Sequence, residues 1–298
     1  MKSFHKKSLL RILQVVVFLV VVYFLTSSLV KNWSQLQQYD FSFSFGLLLL
    51  SFVFLLGGLF LVSFCWYIIL NSFGEKISVR QAFSVWTKAE MVKYIPGMVW
   101  TFASRTFLSE KDKILTLTSV VIEVALKLAA SLLLSFVLLF TFFKDTFNIY
   151  LVSGLVVLGV FSLHPRVFNK IMKTGCKIIK RPWKAVALSY RNILLWLLLL
   201  MGSWFLIGVG FSLLVYSIGN NYYSLLFLIG SFALAWSAGF LFFTLPGGIG
   251  VREGVMVLVL STVMPEAVAI VISLSARVWW SIGDVLAYIV GRAFKEKR

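Results

Sequence analysis

From Asn192 to Val251 the chain holds no Asp, Glu, Lys or Arg. A soluble domain, in which about a quarter of residues are charged, has no surface on which to place such a run. In a bilayer the run is long enough to cross more than once, because about 20 apolar residues span the hydrocarbon core. The remainder of the sequence agrees, with 60% hydrophobic and 13% charged residues. Backbone polar groups in lipid must be satisfied internally, and long apolar runs without alternation satisfy them as helices. The expected fold is therefore an all-α polytopic membrane protein, a single integral membrane domain over residues 1–298.

The charge-free run leads into Pro246-Gly247-Gly248-Ile249-Gly250-Val251-Arg252-Glu253-Gly254, and another apolar segment follows. Proline lacks an N–H and glycine leaves backbone unshielded, so this stretch belongs inside protein or beside a watery cavity rather than against lipid. A break with two charges near membrane depth marks a candidate site. The alternative is a short surface loop that caps the next helix.

The other segments fall into place around it. Ile12 to Val30 is charge-free, follows a basic start and precedes no small-residue cleavage pattern, so it is expected to be a retained span and not a signal peptide. A second span is expected near Phe45 to Leu70, then a polar turn from Asn71 to Gln81. Ala82 to Leu108 carries Lys88, Glu90 and Lys93 before a break at Tyr94-Ile95-Pro96-Gly97 and Arg105 after it, more charge than a plain span holds. Leu115 to Phe143 is a long helix, and Thr146 to Leu163 and Arg191 to Ile218 are further spans. Leu225 to Leu245, the glycine-rich break, a short helix to Val263 and a last span from Ala267 to Val290 complete the chain. His164 to Lys184 is a basic linker with seven Lys and Arg and no acid, spaced as an amphipathic helix on the cytoplasmic leaflet or serving as a topology signal.

Three basic regions, Met1 to Lys7, His164 to Lys184 and Arg292 to Arg298, are expected on the cytoplasmic side. Counting every apolar segment as a crossing places one of them outside. The conflict disappears if Ala82 to Leu108 and Leu225 to Val263 dip in and return from opposite faces. About six spanning helices then remain with two re-entrant broken-helix hairpins. Pro96 and Pro246 lie 150 positions apart, and the same shift lays Lys127 on Arg277. The halves 1–148 and 149–298 form an approximate inverted repeat, the plan of transporters with broken helices at the midplane.

Charges inside apolar segments cost about 2.5 to 3.5 kcal/mol each on insertion scales, so they are expected to work. Ten are found: Lys88, Glu90, Lys93, Arg105, Glu123, Lys127, Arg252, Glu253, Arg277 and Asp284. Glu123 with Lys127 and Arg277 with Asp284 are the pairs expected on shared helix faces. Pairing leaves a basic excess suited to an anionic head group such as a phosphate. The helices after Pro96-Gly97 and Pro246-Gly247-Gly248 add free N–H groups and a positive dipole end, and Arg252 has the fork to grip a phosphate. The bland alternative is that these charges only hold the bundle together.

Other chemistry finds no support. The net charge of +17 is distributed between apolar segments, so it points to topology and lipid contact and not to nucleic acid. Cys65, Cys176, His5 and His164 are isolated, so neither a metal site, a disulfide framework nor a cofactor is expected. Gly248-x-Gly250 is no dinucleotide loop, since Glu253 stands at the third glycine position and no strand precedes it.

Tyr94-Ile95-Pro96-Gly97 with Trp100 and Arg105, together with Pro246 to Gly254, resembles the two signature regions of the lysylphosphatidylglycerol synthase transmembrane (flippase-like) family. That family includes the membrane half of the multiple peptide resistance factor. The resemblance implies lipid translocation, with Arg252, Glu253 and the Pro96 turn lining the route. It also implies that this chain differs from the full-length factor by lacking the soluble aminoacyl transferase domain, so enzymatic aminoacylation of lipid is not expected. Expected partners are membrane lipids and anionic head groups, with a second copy of the chain or a lipid-modifying enzyme as protein partner. The expected location is the plasma membrane with both termini cytoplasmic. Two other functions fit the same sequence: a secondary transporter of a small anion, and a non-transporting membrane partner of a glycosyltransferase or lipid-modifying enzyme.

Overall fold

The computed structural model of the chain describes residues 41–94, 99–143, 188–219, 222–241 and 250–294, with a few single positions between them. The predicted helices at Ile12 to Val30, Thr146 to Leu163 and His164 to Lys184 lie outside the described residues, as do Pro96, Gly97, Pro246 and Gly247.

Eight α-helices are described: α1 (Phe45–Ser72), α2 (Val79–Met91), α3 (Val99–Leu108), α4 (Lys113–Phe142), α5 (Tyr190–Ile218), α6 (Leu225–Leu241), α7 (Val251–Leu260) and α8 (Glu266–Ala293). The protein is an all-α polytopic membrane protein. Four of these helices, α1, α4, α5 and α8, are long and apolar enough to cross a bilayer. At 1.5 Å per residue α2, α3 and α7 reach only about 15 to 20 Å, and α6 about 25 Å, short of a core about 30 Å thick.

Local chemistry sets the ends. Ser78 caps α2 by accepting from the Gln81 N–H at 3.2 Å, and Ser189 caps α5 through the Asn192 N–H at 3.2 Å. Asp112 caps α4, its Oδ1 accepting from the Ile114 and Leu115 N–H groups at 2.9 and 3.0 Å. Helix α2 therefore starts at Val79, a little before the aromatic segment predicted from Ala82. Within the helices, many serine hydroxyls donate back to carbonyls one turn earlier, as Ser63 does to Phe60 and Ser203 to Leu200, which satisfies those hydroxyls in an apolar setting.

Helices α1 and α5 run antiparallel along their whole length. The Ser44 N–H reaches the Ser217 carbonyl at 2.9 Å at one end, and the Cys65 thiol lies 3.6 Å from the Trp196 carbonyl toward the other. Glycine allows the approach: a Cβ on Gly210 would stand 2.8 Å from the Ser51 carbonyl, and one on Gly58 would stand 2.9 Å from that of Ser203. Around this pair the packing repeats. Helix α2 packs on α1, α3 and α8, and α6 packs on α5, α7 and α4; α3 packs on α4 as α7 does on α8. Exchanging α1 to α4 for α5 to α8 maps every substantial helix contact onto another. Because the equivalent helices α1 and α5 are antiparallel, the two sets point in opposite directions, which is the geometry of an inverted repeat. Each short-helix hairpin lies against the long last helix of the other set.

Replacing Gly210 with Ala is expected to destabilise the protein by about 1 to 3 kcal/mol through overpacking against backbone. A Cβ on Gly202 meets nothing within 4 Å, so Gly202→Ala is expected to be neutral or slightly stabilising. Thermal unfolding of both variants in detergent checks this; equal shifts would refute the close-contact account.

Candidate functional site

Arg105 on α3 is 1% exposed and anchors the interior. Its Nη1 pairs with Glu123 Oε2 on α4, and its Nη2 with Glu90 Oε1 on α2 at 2.9 Å. The guanidinium carbon lies 5.6 Å from the Trp66 ring centre and 5.4 Å from that of Trp86. A planar fork can bridge two carboxylates in this way, and a lysine cannot.

From Glu90 the chain of charges continues across the bundle. Lys93 Nζ is 3.2 Å from Glu90 Oε2 and 2.7 Å from Asp284 Oδ2 on α8. The same ammonium lies 5.6 Å from the Trp280 ring centre, and the Arg252 guanidinium lies 4.8 Å from that ring and 4.8 Å from Phe232. Lys93 follows α2 and Arg252 opens α7, so the tips of the two hairpins converge on Trp280. Beside Arg252, Glu253 pairs with Arg277 at 3.3 Å and accepts from the Gly250 N–H at 2.5 Å. The carboxylate thus closes the start of its own helix, the return half of a capping box.

The backbone leading to α7 is left-handed and buried. Gly248 and Gly250 have φ of 66° and 93°, and a Cβ on Gly248 would stand 2.5 Å from the Gly239 carbonyl on α6. Glycine is needed there for both reasons. Irregular backbone at this depth lies against protein, as the sequence required.

Two expected pairings are corrected. Glu123 does not take Lys127, one turn along α4, because Arg105 occupies the carboxylate from α3. Lys127 instead lies over two indoles, 5.8 Å from the Trp86 centre and 5.1 Å from that of Trp236. Arg277 and Asp284 are two helical turns apart, about 10 Å of rise. Each finds a nearer partner on another element, Glu253 and Lys93 respectively. Of the ten intramembrane charges, nine join this cluster; Lys88, two residues before Glu90, is partly exposed and takes none of these contacts.

The aromatic collar was not foreseen. Trp86, Trp236, Trp280 and Phe232 separate and face the cations, and Trp204 stands behind them, its Nε1 donating to the Lys127 carbonyl at 3.0 Å. The spacing held a signal: Trp86 precedes Glu90, and Trp280 precedes Asp284, by four residues, one helical turn on the same face.

A family model described as the lysylphosphatidylglycerol synthase TM region matches residues 11–282. The chain belongs to this family. The matched stretch takes in both hairpins and every cluster residue except Asp284, so the polar interior is part of the family's membrane region. No curated protein and no solved structure matches the chain.

Chemically the cluster sets five cations, Lys93, Arg105, Lys127, Arg252 and Arg277, against Glu90, Glu123, Glu253 and Asp284. Among the described residues this leaves one positive charge over in a low-dielectric interior. Among the described residues no group of three His, Cys, Asp or Glu side chains is placed to hold a metal. The arrangement is suited to receiving an anion.

Arg105→Met leaves two buried carboxylates without their shared cation and is expected to cost about 3 to 5 kcal/mol. Adding Glu123→Gln to Arg105→Met should recover part of that loss, because one of the stranded charges is gone. Thermal unfolding of the single and double variants in detergent tests the coupling; strictly additive losses would remove Arg105 from its bridging role.

Proposed function

We propose that the protein is a lipid flippase of the cell membrane. A phosphate-bearing head group crosses through the polar cluster between the two hairpins, while its acyl or prenyl tails stay in lipid. The observation that carries this reading is the meeting of the two hairpins, through Lys93 and Arg252, at Trp280. A head group at that point would be shared by the two inverted sets of helices, which is where an alternating-access carrier binds its cargo.

Three further features support it. The family is a lipid-handling one. The cluster retains one net positive charge, matching a monoanionic phosphodiester. Its two partly exposed members are both cations, the side chains of Lys93 and Arg277 at 23% and 21%. In this reading the lipid is moved and not chemically altered, and the protein's partners are lipids first.

The test is leaflet exchange of fluorescent phosphatidylglycerol, its aminoacyl esters and polyprenyl phosphates in liposomes, at matched protein incorporation. Arg252→Ala and Glu253→Ala are each expected to slow exchange of the transported lipid about tenfold or more, the loss of one hydrogen bond to a charged group. Absence of movement for all three lipid classes, with the protein folded, would favour a docking partner for a lipid-modifying enzyme.

A further inference from the structure

Lys127 differs from the other cations of the cluster. It is buried on α4, and among the described residues its ammonium has no carboxylate within ion-pair distance, only the faces of Trp86 and Trp236. Arg105, Arg252 and Arg277 keep their protons under all ordinary conditions. Lys93 is clasped by two carboxylates, Glu90 and Asp284. Each carboxylate in turn is held by a cation: Glu90 by Arg105 and Lys93, Glu123 by Arg105, Asp284 by Lys93 and Glu253 by Arg277. Lys127 is thus the member whose charge is least pinned by a partner.

Its surroundings are otherwise neutral on most sides. The charged groups that act on it are Glu90 and Lys93 from the α2 side, Arg105 from α3 and Glu123 on its own helix. From α1 no titratable group acts on it, and the Cys65 thiol of that helix interacts with Glu123 instead. Helix α6 has no titratable residue, and those of α5, Tyr190, Arg191 and Tyr216, stand near its ends.

Open buried polar atoms also lie close to Lys127. Glu123 Oε1, one turn from Lys127 along the same face, is buried and accepts no hydrogen bond among the described residues. Trp86 Nε1, Arg105 Nε and Ser84 Oγ are likewise buried without a partner there. Buried polar atoms left open in this way are the groups that ordered water satisfies. They flank the succession Lys127, Trp86, Arg105, Glu90 and Lys93, which ends at a side chain 23% exposed.

The charge count gives this placement its consequence. With Lys127 protonated the cluster holds, among the described residues, five cations and four carboxylates; when the Nζ–H bond breaks and the proton passes to water, the ammonium becomes a neutral amine and four face four. The net charge that favours an anion is present or absent with that single proton. We propose that Lys127 is the proton-carrying residue of the transport cycle, and that one proton on its ammonium accompanies each monoanionic head group, so that a proton gradient drives lipid movement. This rests on the flippase reading and adds its energy source.

The experiment uses the full chain in phosphatidylcholine liposomes containing a trace of fluorescent phosphatidylglycerol, with a membrane-impermeant quencher reporting leaflet distribution. Under an imposed pH gradient the wild type is expected to concentrate the tracer in the leaflet on the alkaline side, by up to about tenfold per pH unit for one proton per lipid. Lys127→Arg, whose charge is fixed, should still exchange the tracer but only to an even distribution. Lys127→Gln, which is always neutral, should lose the gradient response as well. Wild-type exchange that reaches an even distribution despite the gradient overturns the coupling and leaves the flippase reading intact. Gradient-driven accumulation by the Arg variant equal to that of the wild type also overturns it, because another group must then carry the proton. No exchange by folded wild type with this lipid or with the others tested above overturns the transport reading and the coupling with it. Should both variants fail to fold, as judged by size exclusion and circular dichroism, Lys127→Met paired with Trp86→Phe and Trp236→Phe replaces them, and gradient-driven accumulation by a folded variant lacking the amine overturns the assignment.

Discussion

The bridge from Glu90 through Arg105 to Glu123 is the contact on which the interior depends. Two carboxylates inside an apolar bundle would each cost several kcal/mol unpaired, and one guanidinium between them offsets part of both penalties, with Lys93 adding to that at Glu90. The bridge also fixes geometry. It ties α3, a helix of 10 residues too short to cross a membrane, to α2 and α4.

The second hairpin solves the same problem with different groups. Arg252 lies 4.8 Å from the ring centres of both Phe232 and Trp280, and Glu253 satisfies the start of its own helix while holding Arg277. The first hairpin is fastened mainly by a run of ion pairs, the second by aromatic faces, a cap and the single pair Glu253–Arg277. The sets of helices are related in packing, not in the identity of their polar side chains.

Much of the site was legible because lipid makes charge conspicuous. Glu90, Lys93, Arg105, Arg252 and Asp284 stand out against their apolar neighbours in the sequence, and all prove to be in one cluster. The break before Arg252 was legible for a related reason, since glycine in left-handed backbone cannot face hydrocarbon. The partners were not legible. A spacing of four made Glu123 and Lys127 look like a pair, yet Arg105, 18 positions away in sequence, reaches the carboxylate first. The tryptophans were passed over because an indole in an apolar helix carries no mark of whether it faces lipid or a cation.

Hydropathy and charge placement alone determined that the chain is helical, that it lies in a membrane, and which side chains pay to be there. Those are one-body properties: each follows from the transfer of a residue from water to lipid, whatever its neighbours. The antiparallel seating of α1 on α5, the convergence of both hairpins on Trp280 and the seclusion of Lys127 between two indoles were decided by tertiary structure. Those are pair properties, set by which helices approach closely enough for short-range contacts to form, and local spacing does not contain them.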